Sequence, residues 1–278
     1  MAGNPEFHHI EMAAIWRLVH ACIIPILTYG AETWNPTKAE LIQTQKILNN
    51  TLRRIIKAPI STPTEILTAE TGVWDVETQM DKKQVLYYHK LRNEKDKTST
   101  LAMLTNDPKN PWLKRVEKNI QKTEISKREL LSKNSKQAKI YVNDKMRTYQ
   151  VNKIFLAAEK KSKVRDYVCM KTRTSLMKRP PYMDHHTREN CTNIFNTRAR
   201  MLNVKCNYKN KYADLICRWC RKDTETQIHI MQECEEFKHL TKNTPYELYF
   251  SDGKNAMETP EMLLRLRRII KKINDINE

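Results

Sequence analysis

Cys217, Cys220, His229 and Cys234 are spaced as Cys-x2-Cys-x8-His-x4-Cys. Three thiolates and one imidazole are the donor set of a tetrahedral structural zinc site, which needs soft, deprotonated ligands converging from two short segments. Two cysteines separated by two residues allow one tight turn to aim both sulfurs at a single ion. With all four positions filled by protein, such a Zn2+ has no open site for water or substrate, so its role is structural. The plainer alternative is that these residues pack as ordinary core, because free cysteine is among the most buried residue types. Four donors in this order beside a basic surface favour the metal.

The positioning element is legible next to the ligands. Thr224-Glu225-Thr226-Gln227 reads as a capping box that opens a helix carrying His229, with Cys234 near its end. The other cysteines, Cys22, Cys169, Cys191 and Cys206, show no disulfide-framework spacing, which points to a reducing intracellular compartment. The longest apolar run, over residues 21–29, is too short to span a bilayer. Residues 1–7 (MAGNPEF) read as an expression-vector remnant and carry no targeting information.

Catalytic chemistry is hard to assemble from what remains. The only glycines are Gly3, Gly30, Gly72 and Gly253, which excludes a Walker loop or a dinucleotide fingerprint. There is no Gly-x-Ser-x-Gly elbow. Tyr212-Ala213-Asp214-Leu215 lacks the second carboxylate that a two-metal centre requires. His185 and His186 follow Asp184 without a partner at useful spacing and read as exposed loop residues.

Charge points elsewhere. The chain of 278 residues carries a formal net charge of +18, unevenly spread. Residues 1–80 hold six Lys or Arg against eight Asp or Glu, whereas residues 136–179 hold thirteen against three. A local excess of that size suits a polyanion, because each neutralised phosphate releases condensed counterions; a solvated helix face is the bland alternative. The candidate contacts are Lys160, Lys161, Lys163, Arg165, Arg173, Arg198, Arg200, Arg218 and Arg221. Trp219, between the first two cysteines, is either a stacking platform for a base or a cap on the knuckle's small core.

The scaffold that must hold these groups is predicted to be all-α: a helical thumb-like bundle, a long basic helical linker, and a small zinc-knuckle domain with flanking helices. Residues 9–29 form an apolar helix interrupted at Pro25 and closed by Gly30. Thr37 with Glu40 is a capping box, Thr62-Pro63 opens the next helix with proline at its first position, Gly72 ends it, and Asp75 starts another. The NDPKNP run at 106–111 cannot continue a helix and marks a boundary. Residues 136–170 are expected to form one long helix with Val142, Met146, Tyr149 and Leu156 on its buried face. A short helix over 193–204 carries Arg198 and Arg200. Thr259-Pro260 starts a last amphipathic helix that buries Met262, Leu266, Ile269 and Ile273. The resulting division is 8–106, 107–181 and 182–278.

Pro25-Ile26-Leu27-Thr28-Tyr29-Gly30-Ala31-Glu32-Thr33-Trp34 resembles the Tyr-Gly-x-Glu-x-Trp segment that follows the polymerase core in non-LTR (LINE-type) retrotransposon reverse transcriptases. The stretches at 43–56 (QTQKILNNTLRRII) and 62–72 (TPTEILTAETG) are similar to that family's thumb helices. Asn196-Thr197-Arg198-Ala199-Arg200-Met201-Leu202 followed by the Cys/His array resembles its carboxy-terminal knuckle. The resemblance implies the thumb, linker and CCHC end of such an enzyme, without its palm, fingers or paired catalytic aspartates, and therefore no catalytic centre here. It implies template RNA, RNA–DNA hybrid or target DNA as partner, together with the polymerase palm and fingers, in a ribonucleoprotein of nucleus and cytoplasm. A zinc-dependent protein-interaction or tethering module is the competing class, and a cryptic nuclease a third.

Overall fold

The computed structural model describes residues 11–94, 107, 109–242, 244–249 and 259–275. Residues 1–7, Asn106 and Pro108 lie outside these, so the segment read as a vector remnant and part of the proline break are not described. Among the described residues there is no strand, only an isolated bridge between Ile216 and Thr224, and the architecture is all-α. No helix among them is long and apolar enough to cross a membrane.

The first apolar segment is α1 (Met12–Leu18), a π-helical turn (Val19–Ile23) and α2 (Ile24–Leu27). Pro25 has no amide to donate, and its ring crowds the carbonyl four residues back. The wide turn takes up that mismatch just ahead of it. Gly30 closes the segment at φ 65°, a left-handed conformation that an L side chain disfavours.

Next come α3 (Lys38–Ile56), α4 (Thr64–Thr71) and α5 (Val76–Arg92). The Thr37–Glu40 capping box forms, with the Thr37 amide donating to Glu40 Oε2 at 2.7 Å. Asp75 caps α5 by accepting from the Thr78 amide at 2.7 Å. Pro63 stands one place earlier than expected, at the cap of α4 itself. Gly72 ends α4 at φ 69°, where an added Cβ would lie 2.8 Å from the Arg179 amide nitrogen.

Four helices follow: α6 (Pro111–Lys122), α7 (Lys127–Ser132), α8 (Ser135–Lys160) and α9 (Ser162–Cys169). The single helix expected over 136–170 is thus two, broken where Lys161 turns extended (φ −123°, ψ 109°). The expected stripe is corrected as well. Ala138, Val142 and Met146 face a small core with Val85, Val116, Ile120 and Leu130, whereas Val151, Ile154 and Ala158 face the main core. Because α8 serves two cores in succession, its buried face rotates along its length, leaving Tyr149 half-buried and Leu156 60 % exposed.

The chain ends with α10 (Tyr182–His185), α11 (Arg188–Arg198), α12 (Lys238–Thr241) and α13 (Pro260–Asn274). The helix expected over 193–204 stops at Arg198, and Arg200 follows in a left-handed turn at φ 54°. Thr259 caps α13, which buries Leu266, Ile269 and Ile273 with Met262 half-buried at its start. The main core gathers Trp16, Leu52, Ile66, Tyr167, Phe195, Cys217, Met231, Phe237 and Leu266, so residues from all three of the expected segments share it.

Among the carboxylates buried in the fold is Glu70. Glu70 is 1 % exposed and accepts from Arg198 at 2.9 Å, from the Tyr182 hydroxyl at 2.9 Å and from the Tyr167 hydroxyl, with the Lys171 ammonium 3.2 Å away. Burial alone would raise its pKa, but Lys171, Arg198 and the hydroxyl donors outweigh it and hold it at about 2. The cluster ties α4 to α9, α10 and α11.

Candidate metal centre

Cys217 and Cys220 lie on a turn closed on both sides by backbone pairing. The Cys217 amide donates to Asp223 O and the Glu225 amide to Leu215 O, both at 2.7 Å, flanking the Ile216–Thr224 bridge. Inside the loop the Arg221 amide donates to Cys217 O at 3.1 Å, and Arg221 takes a left-handed conformation at φ 57°. This fold of the backbone turns amides toward sulfur: those of Trp219 and Cys220 toward Cys217, and those of Lys222 and Asp223 toward Cys220. The amide of Glu236 serves Cys234.

The second half of the site comes from a short helical segment that begins at Gln227. Its cap is Thr226, whose Oγ1 accepts from the His229 amide at 3.0 Å, and not Thr224, which is held in the bridge. A π-helical turn, His229–Glu233, then closes with the Cys234 amide donating to His229 O at 2.7 Å. That i→i+5 closure brings Cys234 back beneath His229, where an ordinary α-turn would carry it round the axis.

The four donor atoms consequently lie within 4.8 Å of one another and form a group that could hold a metal ion. Cys217 Sγ is 3.9 Å from Cys234 Sγ, and Cys220 Sγ is 3.2 Å from His229 Nε2. Ligands about 2.0–2.3 Å from a tetrahedral ion are separated by similar spans. The far nitrogen, His229 Nδ1, is buried without a hydrogen bond and faces Glu233 Oε2 at 3.4 Å. That arrangement suits an imidazole that ligates through Nε2 while its other N–H leans on a carboxylate.

Protonation tells the same story. Burial pushes the Cys234 thiol up to about 12, helped by Cys217 and Cys220, and burial also raises Cys217. Cys220 falls to about 6, because the Lys222 and Asp223 amides and His229 outweigh its desolvation. Crowded sulfurs of this kind resist carrying negative charge together unless a cation sits among them. With three thiolates and one imidazole, the donors present fit a zinc-type ion held by protein alone.

Two residues missed as structural elements secure the knuckle. Glu225 is fully buried and accepts from the Lys205 amide at 2.9 Å, the Arg218 amide at 3.0 Å and the Arg218 guanidinium at 2.7 Å. The Gln227 amide group donates to Thr197 O at 2.7 Å and to the Tyr246 hydroxyl at 2.9 Å. The sequence pattern gives Gln227 to a capping box with Thr224 and leaves Glu225 as an intervening position without a role. An acid and a cation seven residues apart were the only signal of their other role.

The candidate phosphate contacts divide by burial. Lys160, Lys161, Arg165, Arg173 and Arg221 are exposed, although Lys161 pairs with Glu65 at 2.9 Å and Arg173 bonds Asn152 and covers Phe155. Lys163 is half-buried against Asn207 at 2.8 Å, and that burial lowers its pKa. Arg198, expected on the surface, is only 2 % exposed and engaged by Glu70 and by Tyr249 O at 3.1 Å. Arg200 pairs with Asp166, and Arg218 is locked onto Glu225. Arg198 and Arg218 thus face buried carboxylates, and Arg200 a partly exposed one. Trp219 packs edge-on against Phe237 at 4.9 Å, with the Arg218 guanidinium 4.8 Å from its ring centre.

No family model matches this chain, and no curated protein or solved structure matches it.

Proposed function

We propose that this chain is the nucleic-acid-binding carboxy-terminal segment of a non-LTR retrotransposon reverse transcriptase, gripping template RNA or RNA–DNA hybrid during target-primed reverse transcription. One observation carries the reading. A Cys3His cluster is packed into the same hydrophobic core as α8 and α9, which turn Lys160, Lys161 and Arg165 outward. The ion in the cluster is Zn2+, and it is structural: bound there, it fixes the two halves of the knuckle against each other. The grip itself comes from Lys and Arg on phosphate, which gives affinity largely blind to sequence.

Binding of this type weakens steeply with salt, by roughly 0.7 to 0.9 log units in affinity per phosphate contact for each log unit of salt. Titrating the protein with single-stranded RNA, RNA–DNA hybrid and duplex DNA at about 50 and 200 mM salt tests this reading. Preference for RNA or hybrid with a steep salt slope supports it. Weak, salt-indifferent binding to all three sinks it in favour of the tethering module.

The fragment performs no catalysis, so supercoiled plasmid incubated with it and magnesium stays intact. Its remaining partners are the palm and fingers of the polymerase. Leu18, Ile26 and Tyr29 support a protein contact at the first helices, being 55, 72 and 86 % exposed there. The setting is a ribonucleoprotein of nucleus and cytoplasm.

A further inference from the structure

A concave site of about 550 Å3 opens where the π turn after α1, the start of α5 and the first half of α8 meet, well away in sequence from the metal ligands. Its size is that of a small-ligand pocket. Three features of its wall belong together. Lys82 lies 5.2 Å over the Trp74 ring. Among the described residues it has no carboxylate partner; its pKa is lowered by burial and then by two more cations, Lys139 and Lys83. Arg147 also faces the site. Its Nη2 is taken by the Thr174 and Leu176 carbonyls at 2.6 and 3.0 Å, while its Nε is buried without a hydrogen bond. Beside it the Asn143 Oδ1 is buried and unpartnered too.

Uncompensated cations and unmet hydrogen-bonding atoms are costly in a folded protein, and they recur where a ligand completes the set. His20, on the opposite wall, is held below its usual range by burial and then by Arg179 and Lys82, which reports the same positive field. One carboxylate, Asp144, is exposed at the rim. An anion is the missing component. Because Lys82 sits on the face of an indole, an anion bound to it sets its substituent against an aromatic surface, and the Asn143 amide offers both donor and acceptor beside it.

We infer that this pocket binds a nucleotide of a single-stranded nucleic acid, its phosphate between Lys82 and Arg147 and its base or sugar against Trp74. The inference deepens the nucleic-acid reading above and rests on it for the macromolecule, while the pocket's affinity for a nucleotide is measurable separately. It also moves the grip toward the junction of α5 and α8, to residues that the charge count of the 136–179 segment did not single out.

Two probes test it by titration calorimetry: adenosine 5′-monophosphate and a 12-nucleotide single-stranded RNA. The variants are Lys82→Gln, which removes a charge free of ion pairs, and Ile140→Glu, which adds a carboxylate at an exposed position of the wall. Lys118→Gln, exposed on α6, is the control. The expected result is that both pocket variants weaken the monophosphate about tenfold or more, and that Lys82→Gln lowers the RNA salt slope by about 0.7, with melting temperature and control unchanged. A wild type that ignores the monophosphate, or variants that bind it as well as wild type does, overturns the pocket. RNA binding that persists unchanged in both variants overturns the pocket and leaves the general reading standing. Monophosphate binding lost in the variants, in a protein that ignores all RNA and DNA, keeps the pocket and removes the general reading.

Discussion

Two clusters of polar groups pin this molecule, and they differ in what they need. Around Glu70, one carboxylate is matched by Arg198, Lys171, Tyr167 and Tyr182, so every group that holds it belongs to the protein. Around Cys217, Cys220, Cys234 and His229, four donors converge into a group that could hold a metal ion, whose charge would balance the thiolates. The first cluster joins helices up to 128 residues apart in sequence. The second joins two ends of an 18-residue stretch, 217–234. The salt-bridged cluster ties segments distant in sequence, whereas the Cys3His group could tie a local stretch through a metal ion.

If that contrast holds, metal removal and charge removal must fail differently. The largest effect belongs to the coordination site. Cys217→Ser, or chelation of the wild type, is expected to release one ion per chain and lower the melting temperature by about 10 °C or more, since structural zinc contributes on the order of 10 kcal/mol in small domains. Retention of both metal and melting temperature would break the comparison at its first term.

Glu70→Gln comes next. It removes the carboxylate that Arg198 and Lys171 both face in the core, and breaking a buried pair this way costs about 3–5 kcal/mol. The cost is read by denaturant unfolding, with metal content unchanged. Equal stability of the single variant and wild type would show that the cluster is not a pin.

The acid limb follows from the same group. Glu70 titrates near 2 in the fold against about 4.5 unperturbed, so its contribution is complete above 4.5 and disappears as pH falls toward 2. That window is worth on the order of 3 kcal/mol. Unfolding curves between those pH values should be steeper in pH for wild type than for Glu70→Gln. Asp81, whose pKa is raised chiefly by burial, works in the opposite direction and is common to both proteins.

The smallest effect sharpens the knuckle. Arg221 holds φ 57° in the loop after Cys220, a conformation that costs an L residue and suits glycine. Arg221→Gly should raise the melting temperature of the metal-loaded protein by about 1–2 °C. A fall instead would mean that the guanidinium does more for the loop than its backbone costs.

Legibility in the sequence tracks the range of the interaction. The ligand array could be read because ligand type and spacing are local, and so could the Thr37, Asp75 and Thr259 caps and the Gly72 terminus. The Glu70 cluster could not, since nothing in the TPTEILTAETG stretch announces partners near residues 167, 171, 182 and 198. Arg198 and Arg218 were read as surface cations for the same reason: composition counts charge but does not say which charges are neutralised inside. The break at Lys161 was hidden because both sides keep helical spacing and pack on the same core, Ala158 before it and Val164 after it. Thr224 lost the cap to Thr226 because a two-residue bridge, itself tertiary, claims it.

The wide turn at His229–Glu233 sets a limit on how this chain can vary in length. Removing one residue from the four between His229 and Cys234 would restore ordinary helical winding, and adding one would push the sulfur further along the axis. Either change misdirects a donor even when every side chain is kept. A substitution at the exposed Gln232 can therefore be absorbed where an insertion or deletion cannot, which makes this interval a ruler measured in backbone steps.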